Sequence, residues 1–284
     1  MRDSTLASNN NDKGECFLGS PQQTIENIIW TFEPGNGPII ATAIHDGHAL
    51  RPEVAELIKL SDSDRFREED PYTGSWVNVA DTRIVALRSR FEVDLNRPRA
   101  EAVYIEPEDC WGLDVWHKQP SDEIVTRSLA EYDAYYSLLN THLTETRSRF
   151  GKFAVLDIHS YNHRRDGPDA PPEPADENPE VNIGTGSLDR DRWGRLVDRF
   201  IDDMGSFDLN GRRLDVRENV KFKGGNHVKW IHESFGESGC GLAIEFKKFW
   251  MDEWTGQPDN EMIEAIRAAL SSTIPGLREE LLRI

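Results

Sequence analysis

The segment at residues 153–160, Phe-Ala-Val-Leu-Asp-Ile-His-Ser, is the feature that most constrains the fold of this chain. An apolar run that ends in a polar loop predicts a buried strand, so His159 should stand where that strand ends. A second apolar run, residues 38–44, ends in the same way at His45. Open α/β sheets hold their ligands at the carboxyl ends of their strands. Two histidines in that position predict a metal site.

Helix signals surround these strands. Residues 121–150 begin at Ser121, a good N-cap, carry apolar residues at alternating spacings of three and four, and end before Gly151. Further helices are predicted at residues 187–204, at about 260–271 and, as a short one, after Pro275. Strands interleaved with helices favour a mostly parallel or mixed sheet with helices on both faces.

The 284 residues suffice for one large domain. We expect residues 1–20 to form a flexible N-terminal tail and residues 21–284 to form a single catalytic domain. The stretch at about 166–180 is rich in Pro, Asp and Glu. Such a composition does not pack into a core, so it predicts a mobile acidic loop beside His159.

Composition excludes several classes of function. The chain carries 33 Lys and Arg against 51 Asp and Glu, a net charge of −18, which repels phosphate backbones and argues against a nucleic-acid partner. No apolar run approaches the roughly 20 residues that span a bilayer, and the N-terminus lacks the apolar stretch of a signal peptide. We therefore expect no membrane partner and a cytoplasmic location. The three cysteines give no disulfide framework.

A carboxylate interrupts another apolar strand. Glu245 lies within residues 241–246, and a carboxylate in such a run is costly unless it is paired or used. Zinc hydrolases need three ligands from His, Asp or Glu, a nearby general base and a cation that stabilises the oxyanion. His45, His159 and one carboxylate could supply the ligands. Glu245 could then accept a proton from the attacking water.

A positively charged side chain, Arg97, ends another predicted strand. Residues 90–98 alternate in polarity and predict a strand that ends in the guanidinium of Arg97. A guanidinium binds a carboxylate through two parallel hydrogen bonds, so Arg97 could hold a substrate carboxylate or polarise a carbonyl. The acidic run at residues 68–71 is either a solvated charge run or the source of the third ligand.

The order of these segments resembles the N-formylglutamate amidohydrolase family, which is related to the zinc carboxypeptidases. The resemblance runs from about residue 39 to residue 254. The matching blocks are His-x-Gly at 45–47, Asp70, Asp-Leu-Asn-Arg at 94–97, Asp-Ile-His-Ser at 157–160, Lys-Gly-Gly at 223–225 and Ile-Glu at 244–245. The implied fold is α/β, a three-layer α/β/α sandwich with a mixed central sheet, phosphorylase/hydrolase-like. The implied reaction is hydrolysis of N-formyl-L-glutamate to formate and glutamate, the closing step of one histidine-degradation route.

The resemblance also implies roles for individual residues. His45, Asp70 and His159 match the metal ligands, and Glu245 matches the general base. Arg97 matches the substrate or oxyanion arginine, which Asn96 would assist. The implied cofactor is one zinc ion per chain, although such ligands also tolerate other divalent metals. The third ligand stays open between Asp70, which is favoured, and Glu69 or His48.

The implied substrate carries two carboxylates, so the pocket of a small anionic substrate should offer several cations. Candidates are Arg97, Arg164, Arg165, Lys221, Lys223 and, less strongly, Lys229. Glycines hinge the loop at residues 223–227, whose backbone amides could approach a ligand. His227 either binds substrate or caps this loop. The usual Pro-His-Ser-Gly start of the family is Ile-His-Asp-Gly here, at residues 44–47, which leaves the acyl group and the amino acid open.

Two other functions compete with an amidohydrolase. One is a carboxypeptidase-like metallopeptidase that removes a C-terminal residue. The other is a binding module that retains the metal without catalysis. The presence of both Glu245 and Arg97 argues against the second, because binding alone needs no positioned base. The sequence gives no prediction of the oligomeric state.

Overall fold

A computed structural model describes residues 29–284, so the predicted tail at residues 1–20 lies outside the described residues. Within that range seven strands form a sheet: β1 (Trp30–Glu33), β2 (Ile39–Ala43), β3 (Thr82–Ala86), β4 (Phe153–Tyr161), β5 (Val181–Gly184), β6 (Val216–Glu218) and β7 (Gly239–Lys247). Their order is β1-β3-β2-β4-β7-β5-β6. The pairs β1–β3 and β5–β7 are antiparallel and the other four are parallel, which confirms a mixed sheet.

Helices cover both faces of this sheet. They are α1 (Pro52–Ala55), α2 (Asp62–Glu68), α3 (Asp122–Phe150), α4 (Arg190–Ser206), α5 (Asn226–Phe235) and α6 (Asn260–Arg283). One core cluster joins the sheet to α4, α6 and the 3-10 helix Thr73–Val79, and another joins it to α3 and α5. The three-layer α/β/α prediction is therefore confirmed. None of the helices in residues 29–284 is long and apolar enough to cross a membrane.

Strand β4 shows how the sheet orients polar side chains. All nine of its residues are buried. Leu156 and Ile158 pack in the core of α4 and α6, whereas Val155 packs in the core of α3 and α5. Because alternate side chains of a strand point to opposite faces, Asp157 and His159 lie on the α3 and α5 side.

Helix α3 follows its prediction closely. Ser121 is the N-cap and its hydroxyl accepts a hydrogen bond from the backbone N–H of Ile124, while Gly151 ends the helix with a φ of 77°. Helix α4 begins later than predicted, since Asp189 caps it by accepting hydrogen bonds from the N–H groups of Asp191 and Arg192.

Two local predictions are wrong. Helix α6 is continuous through Pro275, although an internal proline costs roughly 3 kcal/mol. Leu270 and Leu277, on either side of it, both lie in the core, and their burial offsets that cost. The predicted strand at residues 90–98 is instead a series of turns. There the carboxylate of Asp94 accepts from the backbone N–H of Asn96 at 2.7 Å, which bends the chain.

The acidic stretch contains neither helix nor strand from residue 162 to residue 180. Glu173 links it to its surroundings, because its carboxylate accepts from Lys221 Nζ at 2.6 Å and its N–H donates to the carbonyl of His163 at 2.7 Å. The predicted mobility of this loop stays a prediction.

Candidate active site

Three neighbouring parallel strands bring the central residues of the site together. His45 lies two residues beyond the end of β2, and His159 and Glu245 lie near the ends of β4 and β7. His159 and Glu245 are direct partners in the β4–β7 register. Because β2, β4 and β7 are adjacent and run in the same direction, their carboxyl ends meet at one edge of the sheet.

His45, Asp70 and His159 form a buried cluster whose potential ligand atoms all lie within 4.8 Å of one another. Asp70 Oδ2 lies 3.1 Å from His159 Nδ1 and 3.4 Å from His45 Nδ1. The other carboxylate oxygen of Asp70 accepts from Ser160 Oγ at 2.9 Å. The backbone N–H of Asp70 donates to the carbonyl of His45 at 2.9 Å, which fixes the loop after α2 beside the end of β2.

The alternative third ligands lie elsewhere. His48 Nδ1 is 2.6 Å from Glu69 Oε2, and Glu69 Oε1 accepts from the hydroxyl of Ser89. Arg65 also approaches Glu69 at 3.5 Å. Glu69 and His48 are thus engaged with each other, and the geometry favours Asp70 as the third ligand.

The outer nitrogens of both histidines contact aspartates. His45 Nε2 lies 2.8 Å from Asp94 Oδ1, and His159 Nε2 lies 2.9 Å from Asp157 Oδ2. A carboxylate at one ring nitrogen holds the proton there and leaves the other nitrogen as a metal ligand. In agreement, His45 Nδ1 is buried and has no hydrogen-bond partner among residues 29–284. Two imidazole nitrogens and a carboxylate oxygen fit a divalent cation such as zinc.

The pKa shifts of Asp70 and His159 also favour a bound cation. Burial acts to raise the pKa of Asp70, but the adjacent imidazoles of His159 and His45 outweigh it and hold that pKa below its usual range. Burial acts to lower the pKa of His159, but Asp157 and Asp70 outweigh it and raise that pKa well above its usual value. A divalent cation competes with protons for the same lone pairs, so the negative field of these carboxylates also favours a cation.

Glu245 is suited to proton transfer. Its side chain is nearly buried and lines the same cavity as His45 and His159. Burial raises the pKa of Glu245 to about 7. No other side chain within the described range makes a hydrogen bond to its carboxylate. A carboxyl group whose pKa lies near neutrality can both accept and return a proton.

The cavity above the cluster measures about 330 Å³ and is lined by several cations. Arg97 donates to the carbonyl of Asp109 at 3.1 Å, and Arg165 lies 4.0 Å from Glu173. In residues 29–284 neither Arg97 nor Lys223 has a carboxylate partner within salt-bridge distance. Unpaired cations in a chain of strongly negative net charge favour an anionic ligand.

Several predicted substrate-binding residues occupy other places. Asn96 lines the cavity, but its side-chain oxygen accepts from the backbone N–H of His227 at 3.0 Å. His227 is fully buried behind Asp157, and Arg164 lies 3.5 Å from Asp252; neither reaches the cavity wall. The predicted contact of Arg164 and His227 with substrate stays a prediction, and neither residue lines this cavity. Two other candidates pair with acids outside the cavity, Lys221 with Glu173 and Lys229 with Glu233.

Four residues of the site were not assigned a role from the sequence. Asp157 and Asp94 hold the histidines, and Arg90 donates to Asp94 Oδ2 at 2.8 Å. Lys248 is buried and donates to two backbone carbonyls just before Asp70, those of Arg67 and Glu69. Two of them carried a signal: Asp157 precedes His159 by two residues and so shares its face of the strand, and Asp94 opens the matched block at residues 94–97.

Comparison with known proteins supports this reading of the fold. The sequence profile of the N-formylglutamate amidohydrolase family matches residues 37–249. The crystal structure of N-formylglutamate amidohydrolase from Ralstonia eutropha JMP134 is 17% identical, with 90% of this chain and 98% of that chain covered and a TM-score of 0.68. A gene product of Agrobacterium tumefaciens is 18% identical, with 91% and 96% covered and a TM-score of 0.61.

A comparison with curated proteins gives no match. The two solved structures show the fold, and the profile covers three quarters of the chain. The chain therefore belongs to the N-formylglutamate amidohydrolase family.

Proposed function

We propose that this protein is a zinc-dependent amidohydrolase that converts N-formyl-L-glutamate, or a similar small N-acyl amino acid, to formate and the free amino acid. The observation that carries this proposal is the buried cluster of His45, Asp70 and His159 beside Glu245 at the base of one cavity. In this role the protein would act in the cytoplasm and close a route of histidine degradation.

Different residues would carry out metal binding and proton transfer. His45, Asp70 and His159 would hold the metal, which when bound supplies Lewis-acid catalysis by polarising the amide carbonyl and making water more acidic. Glu245 accepts the proton of the attacking water and then delivers it to the amide nitrogen as the C–N bond breaks. This transfer leaves formic acid and an amine, which become formate and an ammonium group when the acid passes its proton to the amine, and it returns Glu245 to its carboxylate form.

Arg97 and Lys223 bind the substrate carboxylates. Both line the cavity and neither is neutralised by a described acid, so their charges are available to a ligand. Arg97 also stacks near Tyr104, with its guanidinium carbon 5.8 Å from the ring centroid, which orients the planar group. Charged hydrogen bonds of this kind are stronger than neutral ones and fix the position of the scissile amide.

Metal removal tests the proposal directly. We expect about one zinc ion per chain, loss of N-formylglutamate hydrolysis after dialysis against a chelator, and recovery when zinc is added back, because polarisation of the carbonyl depends on the cation. Elemental analysis and steady-state kinetics measure these quantities. Turnover that survives complete removal of the metal would contradict the mechanism.

The substrate panel should include N-formyl and N-acetyl amino acids and short peptides. Faster cleavage of peptides would identify a carboxypeptidase-like enzyme. Bound zinc without hydrolysis of any acyl-amino acid would identify a binding module.

Replacement of Arg97 by alanine should lower kcat/KM by about 10- to 100-fold, since a hydrogen bond to a charged group contributes roughly 1.5–3 kcal/mol. Arg99 provides a matched control, because it lies two residues away and pairs with Asp133 on the exterior. The loss should appear mainly in KM if Arg97 holds a carboxylate and mainly in kcat if it stabilises the oxyanion. Equal kinetics of Arg97→Ala and Arg99→Ala would rule out both roles.

A further inference from the structure

A third histidine, His227, is buried next to the cluster and has no role in the steps above. It is the second residue of α5, its side chain is completely buried, and its ring packs near Tyr135 with centroids 5.8 Å apart. A fully buried imidazole is unusual unless its nitrogens are used. Both nitrogens of His227 face polar atoms.

The contacts of His227 lead to His159 in two steps. His227 Nδ1 lies 3.1 Å from Asp157 Oδ2, the same oxygen that lies 2.9 Å from His159 Nε2. The other oxygen of Asp157 accepts from Thr42 Oγ1 at 2.7 Å. On its far side, His227 Nε2 lies 2.9 Å from the hydroxyl of Tyr135.

The donors and acceptors in these contacts can be assigned consistently. A carboxylate only accepts, so a proton on His159 Nε2 and one on His227 Nδ1 would both point toward Asp157 Oδ2, although the 3.1 Å approach of His227 Nδ1 is not aligned as a hydrogen bond. In that tautomer His227 Nε2 is an acceptor, and the hydroxyl of Tyr135 lies 2.9 Å away as its donor. A neutral His159 that carries its proton on Nε2, toward Asp157, would have its lone pair on Nδ1, which lies 3.1 Å from Asp70 Oδ2.

We propose that His227 is a positioning residue that acts through Asp157 to fix the tautomer and orientation of His159 for metal binding, with Tyr135 fixing His227 in turn. This inference rests on the proposed metal site but goes beyond the ligands and the base. The hydrogen bond to Asn96 is donated by the backbone N–H of His227 and does not involve the imidazole. A change of the side chain therefore leaves that contact in place.

Zinc affinity, measured by competition with a chromophoric chelator, tests the proposal without reference to catalysis. His227→Leu should weaken zinc binding by about 10- to 100-fold, the usual effect of losing a group that orients a metal ligand. His227→Asn can still donate toward Asp157 and should recover most of the affinity. The visible spectrum of the cobalt-substituted protein should shift in His227→Leu, since the ligand geometry changes.

His232 offers a matched control on the same helix. It is partly buried, but its nitrogens contact Ser187 Oγ at 2.8 Å and the carbonyl of Gly241 at 3.0 Å rather than Asp157. His232→Leu should leave zinc affinity and the cobalt spectrum unchanged. Equal zinc affinities of the His227→Leu and His232→Leu proteins would overturn the proposal.

Tyr135→Phe keeps the test decisive if His227→Leu fails to fold. It removes only one hydroxyl group and should weaken zinc binding by about fivefold, the equivalent of one ordinary hydrogen bond. Zinc affinity of Tyr135→Phe equal to that of the unmodified protein would then overturn the proposal. Failure of the unmodified protein to bind zinc would overturn the metal site itself. Zinc binding that is normal in the unmodified protein and unchanged in His227→Leu would overturn this inference alone.

Discussion

Replacement of Glu245 by glutamine should lower kcat by about 10²- to 10⁴-fold while bound metal stays unchanged, because general acid–base catalysis contributes about that much. Glutamine has the size of glutamate but cannot accept the proton. Glu245 lines the cavity beside His45 and His159, and burial holds its pKa at about 7. Steady-state kinetics and metal analysis on the same preparation measure both quantities.

Glu68 is the control for this substitution. Its carboxylate lines the same cavity but is paired with Arg67 at 2.7 Å. Glu68→Gln should therefore change kcat by less than about tenfold, below the usual contribution of a catalytic base. If both variants lost activity to the same extent, Glu245 would not be the specific base.

Replacement of Asp70 by asparagine should weaken metal binding by at least about 100-fold, more than the loss of a residue that only orients a ligand. Asparagine removes the negative charge that faces both His45 Nδ1 and His159 Nδ1. Hydrolysis of N-formylglutamate should fall with the metal content. Chelator competition measures the affinity, and added zinc should restore part of the activity.

Glu69→Gln separates the two candidate ligands. Glu69 is buried, but its carboxylate contacts His48, Ser89 and Arg65 rather than the cluster. This variant should retain its metal and lose stability instead, since the buried contacts of the carboxylate are weakened. Retention of metal by Asp70→Asn with loss from Glu69→Gln would reverse the assignment.

The central strands and the residues at their ends could be predicted from the sequence. His45, His159 and Glu245 each follow or end an apolar run, and parallel strands bring such ends to one edge of a sheet. The sequence also marked both ends of α3, because a serine N-cap and a glycine at positive φ are local signals.

Features that depend on distant contacts could not be predicted in this way. Asp70 follows two other acids in the chain, and contacts with distant residues place it in the cluster: its N–H donates to the carbonyl of His45 and its carboxylate accepts from Ser160. Pro275 suggested a helix end, but packing of α6 against α4 overrides that local preference. The alternation at residues 90–98 suggested a strand, whereas the buried Asp94 turns the chain there.

His227 shows the same limit for function. Its position in a glycine-containing loop suggested contact with substrate, but packing of α5 against β4 and β7 buries it completely. Nothing in its neighbouring residues indicates that it lies next to Asp157, which is 70 positions earlier in the chain.

The proposed ligands His45, Asp70 and His159 come from three separate stretches of the chain, which the pairing of the central strands brings together. An unfolded chain cannot offer this arrangement, so a cation that occupies it binds the native protein alone. Such selective binding stabilises the fold by about 2.7 kcal/mol when the free ion is at 100 times its dissociation constant. The concentration of free metal in the cell would then determine the resistance of the protein to proteolysis as well as its catalytic activity.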